Sequence, residues 1–177
     1  MLLVLASHLM MTMRRKTTKM INRPDIKFYD TSSLLLKANT LFDTEESFVI
    51  SSITLEELEN IKNSLTRDAD IKYAARKLLH SLDEHKGIYD IHIFKENMLL
   101  PIKEKDLSIS NDMKILATAI DYNNHIRTDE VIFVTNDLAL KVIANLFFGD
   151  KMIMSIDDND DDYKGYLDYS CSDSQME

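Results

Sequence analysis

The sequence predicts an α/β fold, a mostly parallel β-sheet held between helices in three layers. Three observations carry this. Val131–Val134 (VIFV) is a continuous apolar run of the length and composition of a strand covered on both faces. Shorter runs of the same kind stand at Ile26–Tyr29 (IKFY) and at residues 48–50 (FVI). Between the runs, apolar residues recur at helical spacing, and strands that alternate with helices imply parallel pairing.

Taken in order, IKFY is rich in β-formers and ends at Asp30, and FVI is the second apolar run. Leu55, Leu58 and Ile61 then mark a short helix that Thr54 opens. Ile71, Ala74, Ala75, Leu78, Leu79 and Leu82 follow one face of a helix spanning 68–85. Residues 88–94 and 152–154 are weaker strand candidates. Met113, Leu116, Ala117 and Ile120 repeat the helical spacing, as do Leu138, Ala139, Val142, Ile143 and Leu146. The three parallel strands 26–29, 48–50 and 131–134 are expected inside the sheet.

The 177 residues suit one compact domain over 22–156, flanked by an N-terminal extension (1–21) and an acidic tail or linker (157–177). Residues 1–13 are apolar and precede the basic run Arg14, Arg15, Lys16. A signal peptide needs the reverse order, and a membrane span needs roughly 20 apolar residues, so no membrane role is expected. Both ends are expected to pack poorly. The net charge is −9, and from Asp157 onward eight acids stand against one Lys. The run DDNDDD repels itself and lacks the central Gly and terminal Glu of a calcium loop. An acidic chain excludes a broad DNA-coating surface but not an enzyme whose carboxylates are offset by metal ions. With three Gly there is no Gly-rich phosphate cradle, which excludes a dinucleotide-binding domain. Cys171 is the single cysteine. No disulfide framework or Cys-based zinc site follows, and a reducing, cytoplasmic setting is expected.

Four acids fall where a strand or short loop hands over to a helix: Asp30, Glu57, Asp112 and Asp137. In an open parallel sheet the carboxyl ends of the strands share one edge, and ligands bind there. Neighbouring strands would bring the four carboxylates to one pocket, where a divalent cation such as Mg²⁺ or Mn²⁺ would relieve their repulsion. Each acid has a structural alternative. Asp30, Asp112 and Asp137 are good helix caps or first-turn acids. Thr54 and Glu57 fit a capping box. Glu56 adjoins Glu57 and competes with it as the second acid. The five His residues show no paired metal spacing and read as structural or surface groups.

The wording around the acids adds to this. FYDTSSLLL, VISSITLEELENIKN, SNDMKILATAI and VIFVTNDLALKV resemble, in order and spacing, the four motifs of PIN domains. With LEEL, AARKLLHSLDEH and DDYKGY, the chain resembles most the N-terminal PIN module of PhoH-like proteins. The resemblance covers roughly 22–166 and implies a three-layer fold that cuts single-stranded RNA with Mg²⁺ or Mn²⁺. It implies catalytic and metal-binding roles for Asp30, Glu57, Asp112 and Asp137, and a supporting hydroxyl at Thr135. Arg76 matches the arginine of the family's AR-x-x-x-x-L-L helix. Ser32 departs from the Asn that many relatives carry after Asp-Thr. PhoH-like proteins continue into an ATPase domain with a Gly-Lys phosphate loop, a motif absent from these 177 residues. Homo-oligomers, an ATPase or helicase domain, and an antitoxin are the partners this kinship admits.

In this reading Asp30 and Asp137 ligate metal, Asp112 completes the shell or holds a metal water, and Glu57 orients or deprotonates the attacking water. Arg67, Lys72 and Arg76, with Lys77, form a basic rim for RNA, or an ordinary solvated helix face. Tyr163 and Tyr166 could stack bases or anchor a linker. Rival phosphate enzymes lack support, since Asp30-Thr31-Ser32 is not the Asp-x-Asp of a dehalogenase-type phosphatase and VIFVTND lacks a receiver's Lys. The rival of another class is a catalytically weak PIN-like module that binds RNA or protein.

Overall fold

A computed structural model of the chain describes residues 25–44, 46–125, 131–149 and 152–156. The two flanking segments expected to pack poorly, 1–21 and 157–177, lie outside the described residues.

Five strands, β1 (Ile26–Tyr29), β2 (Phe48–Ser51), β3 (Tyr89–His92), β4 (Val131–Val134) and β5 (Ile153–Met154), form one sheet in the order β3-β2-β1-β4-β5. Every neighbouring pair is parallel. The three strongest apolar runs are therefore the inner strands, as expected. Both weaker candidates are strands too, at the two edges.

The helices are α1 (Thr31–Leu36), α2 (Ser52–Asn63), α3 (Ala69–Glu84), α4 (Leu100–Lys103, after a 3₁₀ turn at Glu96–Leu99), α5 (Asn111–His125) and α6 (Leu138–Ala144). They fall on both faces of the sheet, because successive strand residues point to opposite sides. Phe28, Val49 and Phe133 join a core with Ile102, Leu116 and Leu140. Their immediate successors Tyr29, Ile50 and Val134 join another with Leu34, Leu58 and Leu78. Burial on both faces explains why the inner strands read as unbroken apolar runs.

One expected helix start is corrected. Thr54 does not open α2: the N-cap is Ser51, whose side chain accepts from the Ile53 N–H. Ser51 ends β2 and begins the helix with no intervening loop, so Thr54 lies buried inside the first turns. The Thr54–Glu57 capping box consequently does not exist.

Among the described residues no helix is long and apolar enough to cross a membrane.

Candidate metal-dependent active site

Parallel strands place their carboxyl ends on one edge, and β1, β2 and β4 are direct neighbours there. Asp30 follows β1 and is the N-cap of α1. It is buried, 3% exposed. Its Oδ1 accepts from the Ser33 N–H at 2.7 Å, the cap bond proper. Its Oδ2 accepts from Ser32 Oγ at 2.9 Å and from Thr135 Oγ1 at 2.6 Å. A buried carboxylate is tolerated only when donors surround it, and here three do.

Thr135 follows β4 and is fully buried. Its hydroxyl donates to Asp30 and accepts from the Asp137 N–H at 3.2 Å. One side chain thus ties the acid after β1 to the loop that carries the acid after β4. Asp137 caps α6, with Oδ1 accepting from the Leu140 N–H at 3.0 Å, while its side chain stays exposed. Asn136 closes the same loop by bonding both the N–H and the carbonyl of Ile156.

Glu57 sits in the second turn of α2, half-buried, and accepts a short hydrogen bond from Thr31 Oγ1 through Oε2. Its neighbour Glu56 is exposed and lines neither cavity at this edge. Asp112 lies in the first turn of α5, which Ser110 caps through its Oγ and the Met113 N–H at 3.2 Å. Although its side chain is exposed, the protein packed around the carboxyl partly desolvates it. That desolvation raises its pKa above the ordinary carboxylate value, and the charges of Glu57, Asp137 and Asp30 raise it further, in that order. Asp112 therefore feels the other three acids at this edge. None of them is in an ion pair with a described residue.

Among the described residues no group of three or more His, Cys, Asp or Glu side chains stands in a geometry that would hold a metal ion. The hydrogen bonds give a reason: Asp30 and Asp137 face their own helix caps and Glu57 faces Thr31. The donor set nevertheless fits a hard divalent cation, being all carboxylate, mutually repelling and without a basic partner.

Two cavities meet at Asp112. The larger, about 740 Å³, is lined by Glu57, Asp112 and residues of α1, α2 and α3. The smaller, about 190 Å³, is lined by Asp112, Asp137 and residues of α6. Of the expected basic rim, Arg67 lines the larger cavity, and Lys72 and Arg76 line neither. Lys77 is turned away to Asn39 Oδ1.

The sequence assigned no role to Thr31 and Asn136, and both hold this edge together. The strings Asp-Thr-Ser-Ser and Thr-Asn-Asp were the available signal, since hydroxyls and amides flanking a strand-end acid are ready donors to it. Ser32, the departure from the relatives' Asn, still supplies a bond to Asp30.

The family model described as PIN domain matches residues 28–147. Among solved structures, that of VapBC-5, a member of the VapBC family of toxin–antitoxin systems from Mycobacterium tuberculosis, is similar to 75% of this chain and 98% of that chain. The sequence identity is 16% and the TM-score 0.46. No curated protein matches the chain.

Proposed function

The chain belongs to the PIN domain family, a family of metal-dependent nucleases, and from that premise we propose that it is an endoribonuclease that hydrolyses phosphodiester bonds of single-stranded RNA with Mg²⁺ or Mn²⁺. One observation supports this above the rest. Asp112 carries a raised pKa, first because the surrounding protein desolvates it and then because Glu57, Asp137 and Asp30 lie near, and no described Lys or Arg is paired to any of the four. Such an edge is costly to the fold unless a cation is bound in use.

Asp30 and Asp137 would hold the ion, with Asp112 completing the shell. When bound, the cation supplies charge neutralisation on the phosphate and acidifies a coordinated water. The chain's own part is positioning. Thr135, Ser32 and Ser33 fix Asp30, so its carboxylate needs little reorganisation when substrate arrives. Thr31 holds Glu57 by Oε2, and Glu57 Oε1 makes no hydrogen bond to a described residue. That free oxygen is suited to take a proton from the attacking water. Domain limits of 22–156, a cytoplasmic setting, a homo-oligomeric state and an ATPase, helicase or antitoxin partner belong to the same proposal. The motifs LEEL, AARKLLHSLDEH and DDYKGY support the PhoH-like version of it.

The test is cleavage of single-stranded RNA in Mn²⁺ by the full chain and by Asp30→Asn. Cleavage lost in the variant is expected. Equal cleavage by both would place the chemistry elsewhere, and no cleavage by either, with RNA still bound, would leave the binding-module reading.

A further inference from the structure

We propose that the larger cavity seats one unstacked nucleobase next to the phosphate that is cut, with Asn60 and Asn111 reading its edge and Arg67 holding the strand at the mouth. This rests on the nuclease reading and adds a base-selective position to it.

The cavity lies between α1, α2 and α3 and opens directly beside Glu57 and Asp112. Its volume, about 740 Å³, is that of a small-molecule site. Apolar side chains on its lining are Leu35, Leu36, Ile61 and Ile71, from all three helices. A flat heterocycle covers such side chains with its face and still requires donors and acceptors at its rim. An alkyl chain would need no amide and would gain nothing beside two carboxylates.

Thr31, Ser32 and Ser64 on the cavity lining are engaged in hydrogen bonds, and the two carboxamides there are the little-committed groups. Asn60 is exposed and its side chain makes no hydrogen bond to a described residue. Asn111 has only a long contact from Lys114 Nζ, 3.5 Å. A carboxamide carries both a donor and an acceptor, the combination that pairs with a base edge. Arg67 forms no ion pair with a described residue, and its backbone is held by the turn after α2. There Ser64 Oγ accepts from both the Thr66 and the Arg67 N–H, each at 3.2 Å. An exposed guanidinium carried by that turn on the cavity lining suits a phosphate oxygen.

The two cavities are unequal. On the Asp137 side about 190 Å³ is available, roughly a quarter of the space on the Glu57 side. A strand crossing the acids therefore meets the roomier cavity on one side only. A base in a duplex is stacked and paired and cannot enter it, so the pocket also accounts for a single-stranded substrate.

The experiment uses the full chain and uridine 12-mers whose central position is A, C, G, U or abasic, read by cut-site mapping in Mn²⁺. The same oligonucleotides are titrated in equilibrium binding to the Asp30→Asn chain. Cutting and binding are expected to depend on the base at one position flanking the cut. Asn60→Ala and Asn111→Ala, both at exposed sites, should each lower the preference for the favoured base over the abasic site by about tenfold. Arg67→Gln should weaken all five oligonucleotides equally and lessen the salt dependence of binding. RNA cut with no base preference, or a preference untouched by both Asn variants, would overturn the pocket and keep the nuclease. Base-selective binding by a chain that never cuts would keep the pocket and remove the nuclease. Free 5′-mononucleotides bound as tightly as the 12-mers would overturn the proposal by making the cavity a site for a free nucleotide.

Discussion

The two halves of the acidic edge are built to different standards. On the strand side, Asp30 is buried and takes three hydrogen bonds, and Thr135 links it to the loop of Asp137. On the helix side, Glu57 has one partner, and Asp112 is exposed with its charge opposed by three neighbours. The difference follows from where each acid sits. A residue leaving a central strand is surrounded by neighbouring strands and caps that supply donors. A residue in an early helix turn faces outward and meets few donors, and Asp112 has only its own backbone N–H to lower its pKa. The strand half thus provides a fixed point, and the helix half provides charge that is strained until something positive arrives.

The largest effect should come from the fixed point. Asp30→Asn is expected to lower single-stranded RNA cleavage by more than about 10²-fold, the scale seen when one preorganised electrostatic contact is lost. Its stability cost should be about 1 kcal/mol. Asn remains a good N-cap for the Ser33 N–H, while its amide nitrogen replaces an oxygen that accepts from Ser32 or Thr135. Urea midpoints of the two chains, measured without metal, check the second number. Relief of like-charge repulsion by itself would make this substitution nearly free. The burial of Asp30 and its three donors change that expectation.

The next effect isolates the link between the two halves of the strand side. Thr135→Val keeps the shape but removes the donor to Asp30 and the acceptor for the Asp137 N–H. A buried group left unsatisfied costs about 1–3 kcal/mol, and loss of a supporting contact to a ligand typically costs about 10–100-fold in activity or metal affinity. Thr135→Ser should recover most of both. A Val variant with unchanged Mn²⁺ affinity by calorimetry would show that Asp30 is held well enough by its own cap.

How far the sequence foretold this edge depends on the range of the interactions. The inner strands were legible because burial on both faces leaves unbroken apolar runs, VIFV most clearly. The junction acids were legible for a related reason, since a strand must end before a helix begins and caps are acidic or hydroxylated. The start of α2 was misread. Thr-Leu-Glu-Glu carries a capping-box pattern, yet Ser51 caps the helix three residues earlier and leaves Thr54 in the core, its Oγ1 without a hydrogen-bond partner among the described residues. Nothing local distinguishes the two serines or the threonine; the end of β2 against β1 decides it. The larger cavity was not legible at all, because Leu35, Asn60 and Ile71 come from three helices and meet only in the folded chain. The basic rim illustrates the same limit. Arg67, Lys72 and Arg76 are close in sequence, but only Arg67 reaches the cavity, since a helix turns the others about its axis.

The smallest effect tests the strained half. Asp112 has a folded-state pKa raised above its ordinary value, by desolvation first and then by Glu57, Asp137 and Asp30. A raised carboxylate pKa means that the folded chain holds its proton more tightly than the unfolded chain does. Ionisation of Asp112 therefore opposes folding. The penalty is absent below the unfolded carboxylate pKa of about 3.9, grows as pH rises through the raised folded value, and is complete above it. Asp112→Asn should consequently raise the melting temperature of the metal-free chain at neutral pH, and the gain should shrink as pH falls into the carboxylate range. Because the side chain is exposed, solvent screens the interaction and the gain should be modest and smaller in high salt. Saturating Mn²⁺ should reverse the order of the two chains, since a bound cation turns the crowding of carboxylates from a cost into an attraction. A variant less stable than the parent at neutral pH without metal would mean that Asp112 serves α5 chiefly as a first-turn acid at the helix N-terminus. The helix half of the edge would then be as settled as the strand half.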